Sequence, residues 1–169
     1  MDMTSFDLKE SFMLAIVPFR AFQHLTLAEQ PLRALECIKR CLAPGGHLVV
    51  DLFDPRLEYC IQDAPALMPI KRVEDPTTGH TVIRRVVNRV GDPMHQVITE
   101  HFLFEEVDST GRVVDSEETE WSLRWATRHE MHYLFELIGL EVIAEYSDFL
   151  RSPPAYGTEQ VWLVRKMEG

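Results

Sequence analysis

Asp51 and Asp54 stand where an apolar run, Leu48 to Phe53, meets Asp-Pro. Carboxylates at the end of a strand could act as a base, although Asp54 is equally explained as the residue that stops the strand before Pro55. Arg20 follows Phe19 at the end of a second apolar run, where sites in α/β sheets lie, and its planar guanidinium could hold a substrate carboxylate bidentately. Helix capping or a surface ion pair accounts for it as well. His24 reads either as the start of a helix near a site or as a structural histidine. Tyr156, beside Pro153, Pro154 and Gly157, could line a pocket from a loop. His129 and His132 flank Glu130, but they are three apart rather than at the H-E-x-x-H spacing, and Glu130 reads as a helix cap, so no metal is assigned. No Ser-His-Asp order, nucleophile elbow or Cys-His pairing is readable. Cys37, Cys41 and Cys60 are an odd set without metal spacing and read as core thiols.

The elements that would position these groups follow from local chemistry. "SFMLAIVPF", Ser11 to Phe19, is an apolar run closed by proline and reads as a strand buried on both faces. Thr26 and Glu29 have the spacing of a capping box, and Leu32, Leu35, Ile38 and Leu42 recur at helical period, so a helix is expected from about Leu27 to Leu42. Pro44, Gly45 and Gly46 end it, and His47 to Phe53 suits a strand covered on both faces. This is strand, helix, parallel strand. Extended segments are then expected near 68–74, 80–90, 95–107 and 112–125, broken by "DPTTG", "GDP" and "DSTG", as an inserted antiparallel meander over residues 58–125 of a single 1–169 domain. Trp121 and Trp125 would roof its apolar face. A second capping box, Thr127 with Glu130, opens a helix carrying Met131, Leu134, Phe135 and Ile138, and Gly139 closes it. "LEVIAEY" and "EQVWLVRK" read as two final strands joined by an exposed proline-bearing loop.

With 169 residues, 46% of them hydrophobic and 26% charged, the composition is that of a folded domain rather than a disordered chain. The formal net charge of −10 works against nucleic acid or an anionic membrane as partner. Eight acidic residues against one Arg lie between Glu100 and Glu120 and read as a solvated face. No stretch reaches the ~18 apolar residues of a membrane span, and "MDMTSFDL" has no signal-peptide pattern, so the cytoplasm is the expected location.

The order of "DMTSFDL", "FMLAIVPFRAFQHL", "LRALECIKRCLAPGGHLVVDLFDP", "TRHEMHYLFELIGLEVIAEYSDF" and "EQVWLVRK" resembles the C-terminal part of class I S-adenosylmethionine-dependent methyltransferases, of the subgroup with an antiparallel insertion after the fifth strand. The resemblance implies a partial Rossmann-like α/β sheet with strands equivalent to the family's fourth to seventh, and S-adenosylmethionine as cofactor with a small-molecule acceptor. It implies Asp2 and Met3 at the adenine and Pro18, Phe19 and Arg20 beside the transferred methyl group; Arg20, His24 and Tyr156 are the residues expected to bind the substrate. The family's first strand, its glycine loop and its acidic ribose ligand have no counterpart in these residues, and Met13 replaces an acidic residue common in the family. An incomplete cofactor site is therefore expected in this chain, with a non-catalytic assembly or regulatory module as the alternative to an enzyme. The same comparison turns Ser11 to Phe19 into a charge-free sheet edge, to be covered in a homodimer or by a second chain that supplies the missing half.

Overall fold

In the computed structural model, residues 1–61 and 70–167 are described. They fall into two compact units, Met1–Tyr59 with Leu123–Gly169, and Cys60–Ser122. In the first unit, β1 (Phe12–Val17) pairs parallel with β2 (Leu42–Phe53) across helix α1 (Gln30–Cys41). β2 pairs antiparallel with a late strand, Glu159–Lys166, which pairs in turn with Leu140–Tyr146. Numbered along the chain, with four strands of the second unit between, these are β8 and β7, and the sheet order is β1-β2-β8-β7.

Helix α3 (Arg128–Leu137) precedes β7. Thr127 caps it by accepting the Glu130 N–H at 3.3 Å, and Gly139 ends it in the left-handed region with φ 68°. The capping box expected at Thr26 and Glu29 does not form. Instead the Leu27 N–H donates to Gln30 Oε1 at 3.0 Å, Pro31 occupies the helix start, and α1 begins three residues later than expected.

Alternation decides the core. Leu48, Val50 and Leu52 of β2 and Trp162 and Val164 of β8 point to one face, where Ala34, Leu35 and Ile38 of α1, Met131 and Phe135 of α3 and Ile138 just after it complete a single buried cluster. Met3 and Phe6 pack against it and anchor the N-terminal segment. β1 departs from its reading as a strand buried on both faces. It lies at the sheet edge, and Phe12, Leu14 and Ile16 are 40%, 52% and 59% exposed while Val17 is buried.

The Pro-Gly-Gly stretch lies within β2 rather than before it. Gly45 takes φ 73°, and a Cβ on Gly46 would sit 2.8 Å from the Ala43 carbonyl and 2.9 Å from that of Phe12. Both obstacles are backbone, so only glycine lets β2 approach β1 here.

The second unit is an antiparallel sheet in the order β3-β4-β5-β6, with β3 at Lys71–Glu74, β4 at Thr81–Asp92, β5 at Val97–Val107 and β6 at Val113–Arg124. Of the segment expected at 68–74, residues 68 and 69 lie outside the described residues. A short helix, α2 (Leu57–Ile61), went unread in the sequence; its Cys60 carbonyl would lie 2.3 Å from a Cβ on Gly91. Asp75 and Asp108 fold the turns by accepting backbone N–H groups, from Thr77 at 2.8 Å and from Thr110 at 2.8 Å. Val86, Ile98 and Phe102 are buried on one face, and Ile83, of opposite parity, is buried on the other. Glu100 corrects the solvated-face reading of the acidic run, since it is 4% exposed and accepts the Trp121 Nε1–H at 2.9 Å. Trp121 is 38% exposed, whereas Trp125 lies beyond β6 and is buried. The three cysteines are free and buried. Among the described residues no helix is long and apolar enough to cross a membrane.

Gly46→Ala is expected to destabilise the first unit by about 2 kcal/mol, read from urea unfolding, because neither carbonyl can yield without shifting a strand. The turn hydrogen bonds hold the Asp75 and Asp108 carboxyls below the ordinary aspartate value of 3.8. A depressed native value means that their contribution is present above the unfolded value and is lost as pH falls through the native one. The Asp108→Asn variant should therefore show a shallower loss of stability below about pH 4 than the parent.

Candidate functional site at the carboxyl ends of the parallel strands

β1 ends at Val17, and the chain turns through Pro18, Phe19 and Arg20 into a 3-10 turn at Ala21–His24. Phe19 and Arg20 are consecutive non-glycine residues in the left-handed region, with φ 57° and 58°. Such backbone costs about 1–3 kcal/mol per residue and persists only where neighbours over-determine it. Here the neighbours are named. The Arg20 N–H donates to Asp51 Oδ2 at 3.2 Å, its guanidinium donates to both carboxylate oxygens of Glu159, and its cationic carbon lies 5.6 Å from the centre of the Phe53 ring.

Asp54 has a different task. Only 5% exposed, it accepts from the Gly157 N–H at 2.6 Å, from Gln160 Nε2 at 3.0 Å and from Arg128. Arg128 also donates to Glu145 and to the carbonyls of Ala155, at 3.1 Å, and Glu159, at 3.4 Å. Gln160, fully buried, donates to the Ala126 carbonyl at 3.0 Å and accepts the Trp162 Nε1–H at 3.2 Å. Three donors on one carboxylate fix the end of β2, the β7–β8 loop and the start of α3 to one another. Asp54 is thus a positioning group. Gln23, 1% exposed, does similar work by accepting the Phe53 N–H at 2.9 Å and donating to the Arg124 carbonyl at 3.3 Å.

The structure brings Pro18, Phe19, Arg20 and Asp51 together at this end of the sheet, with Phe19 92% exposed. Tyr156 is held through its hydroxyl, which accepts the Leu57 N–H at 3.0 Å and donates to Glu58 at 3.3 Å, leaving its ring outward. His24 is exposed at the end of the 3-10 turn. Asp2 accepts the N–H and hydroxyl of Thr4, each at 2.8 Å, and these bonds hold its carboxyl below the ordinary 3.8. His132 packs edge-on against Trp162 at 5.0 Å rather than joining His129, and the described residues contain no group of potential metal ligands. Sequence reasoning missed Gln23, Arg128, Glu159 and Gln160. Gln160 had a signal, since it shares the inward parity of Trp162 and Val164 and a polar residue in a core row must find partners.

No family model and no curated protein matches the sequence. Solved structures do. The methyltransferase CcbJ from Streptomyces caelestis is 20% identical over 99% of this chain and 62% of its own, with a TM-score of 0.73. An S-adenosylmethionine-dependent methyltransferase from Clostridium acetobutylicum is 12% identical over 100% of this chain and 63% of its own, with a TM-score of 0.79. CalS10 from Micromonospora echinaspora, an amino pentose methyltransferase, is 21% identical over 99% and 63%, with a TM-score of 0.75. The chain therefore has the class I S-adenosylmethionine-dependent methyltransferase fold. It spans about three fifths of the length of the solved structures it matches.

Asp54→Ala is expected to cost about 3 kcal/mol, because it strips the Gly157 N–H, Gln160 and Arg128 of a buried acceptor. The Ser147–Thr158 loop should become the first site of limited proteolysis, and Asp54→Asn, which keeps an acceptor, should lose less.

Proposed function

We propose that this chain is part of an S-adenosylmethionine-dependent methyl transfer system acting on a small molecule. The observation that carries the reading is the fold itself, joined to a strained turn, Pro18 to Arg20, at the carboxyl end of a parallel strand, where α/β sheets hold their ligands. Transfer by in-line attack on a sulfonium methyl group depends on positioning and exclusion of water more than on a side-chain nucleophile, so the lack of a triad does not oppose it. CalS10 is an amino pentose methyltransferase and KedS8 a sugar N-methyltransferase, which makes aminosugars the first acceptors to assay.

The residues present fit the cofactor on one side. Asp2 and Met3 would meet the adenine, and Pro18 and Phe19 would wall the methyl-bearing end. The ribose hydroxyls and the methionine carboxylate want a carboxylate and close backbone N–H groups, and no glycine lies at the carboxyl ends of β1 or β2 to allow that approach. Arg20, Asp51, His24 and Tyr156 remain for the acceptor. The engagement of Arg20 by Glu159 favours a second reading, a non-catalytic assembly or regulatory module, because a ligand carboxylate must displace a bidentate partner already in place.

Calorimetric titration with S-adenosylhomocysteine separates these readings. The chain alone is expected to bind with a dissociation constant weaker than about 100 μM, roughly −5.5 kcal/mol, and Asp2→Ala should weaken whatever binding is seen. Tighter binding would show a complete site in this chain. No heat at millimolar ligand, together with no methylation of aminosugars, would favour the non-catalytic module.

A further inference from the structure

The face of the second unit that carries Val86, Ile98 and Phe102 also carries charge. Arg84 lies on it two residues before Val86, and its guanidinium carbon stands 4.9 Å from the centre of the Phe102 ring. Trp121 meets the same ring edge-on at 5.2 Å, so the surface on which the guanidinium rests is itself held. Nε and Nη2 of Arg84 are buried, and neither has a hydrogen-bond partner among the described residues. These two nitrogens form one edge of the guanidinium, the edge whose parallel N–H bonds match two oxygens of a carboxylate or phosphate. Elsewhere in the chain that edge is used: Nε and Nη2 of Arg20 donate to Glu159, and those of Arg165 to Glu141. A buried donor without an acceptor has given up water for nothing, which costs more than one hydrogen bond returns.

The strands around Arg84 supply a cation and rings rather than an acceptor. Its register partners are Lys71 on β3, which is exposed, and Phe104 on β5, which is half-buried, and partners across an antiparallel pair share a face. Glu106, diagonal to Arg84, is taken by His80 Nδ1 at 2.5 Å; Glu105 belongs to the opposite face, where Arg85 donates to it at 2.9 Å; Glu100 stands opposite Arg89 and accepts from Trp121. Two adjacent cations beside aromatic rings stand out in a chain of net charge −10. We propose that this place, the Nε and Nη2 edge of Arg84 with Lys71 beside it and Phe104 as an apolar wall, binds a small organic oxyanion: a carboxylate or phosphate ester with an aromatic or apolar body. The Arg84 fork takes two oxygens, Lys71 adds charge, and the body of the ligand lies against Phe104. All of these residues belong to the second unit, and the inference rests on that unit's geometry and not on the methyl-transfer reading.

The probes are benzoate, phenyl phosphate and inorganic phosphate, each titrated at fixed ionic strength into the 169-residue protein and followed by calorimetry and by the arginine Nε–H resonances. Saturable one-to-one binding is expected, with a shift of the one Nε–H resonance that is missing from the Arg84→Lys spectrum. Arg84→Lys should weaken binding by about tenfold or more, because an ammonium group cannot present two parallel N–H bonds. Lys71→Ala should weaken it by about threefold, and more at low salt, where an exposed charge is less screened. Arg165→Lys should leave binding unchanged, and circular dichroism checks that each variant is folded; should Arg84→Lys fail to fold, the resonance shift in the parent, assigned through bonds to Arg84, decides. Tighter binding of phenyl phosphate than of benzoate names a phosphate ester as the ligand, and the reverse names a carboxylate. Equal affinities for phenyl phosphate and inorganic phosphate overturn the apolar wall. Binding that Arg84→Lys leaves unchanged overturns the site, as does the lack of saturation by either organic probe at about 10 mM.

Discussion

The carboxylate of Asp54 is the junction on which the carboxyl end of β2 and the elements around it depend. It sits just past the last residue of β2, nearly out of water, and takes hydrogen bonds from a loop amide, a β8 side chain and an α3 side chain. A buried charge is tolerable only when its lone pairs are filled, and each donor here comes from a different part of the chain. Arg128 extends the junction to Glu145 of β7 and to two carbonyls. The ends of β2, β7 and β8 and the start of α3 are thereby held by one connected polar group rather than by packing alone. Removing any member strands the others, so the cost of loss is larger than that of one hydrogen bond.

This arrangement explains why the same end of the sheet can afford an unfavourable turn. Phe19 and Arg20 hold left-handed backbone that neither residue prefers, and the force that keeps them there comes from Asp51 and Glu159, on β2 and β8. Those two strands are fixed by seven consecutive antiparallel pairs from His47 with Arg165 to Phe53 with Glu159. A rigid pair of strands therefore imposes the conformation of the turn that follows their neighbour.

Much of the fold was legible because it repeats. β7 and β8 were readable from apolar runs bounded by Gly139 and the proline loop, and α3 from its cap and its apolar face. Short-range substitutes were not. The expected box at Thr26 lost to Gln30, whose side chain reaches the Leu27 amide, and α2 is too short at five residues to show a period. Glu100 was misread because its neighbours in sequence are acidic, although its parity with Ile98 and Phe102 puts it in the buried row of β5. The site was legible at Arg20 and Asp51, which follow from the rule that α/β ligands lie beyond strand ends. Their partner Glu159 was not, since a separation of 139 residues leaves no local trace.

The contrast between the two sheets is the last step. The second unit spends charged residues on both its edges, and its acidic run puts Asp115, Glu117, Glu118 and Glu120 on β6 in water. The first unit does the same at β7. A sequence that guards three edges by composition has the means to guard a fourth, and Met13, Leu14 and Ile16 are exposed positions where lysine or glutamate would fit without disturbing the core. Leu14 and Ile16 lie on the sheet face away from the cluster formed by α1 and α3, whereas Ala15 and Val17 lie toward it. β1, Phe12–Val17, is thus the one edge among the described residues that carries no charged side chain.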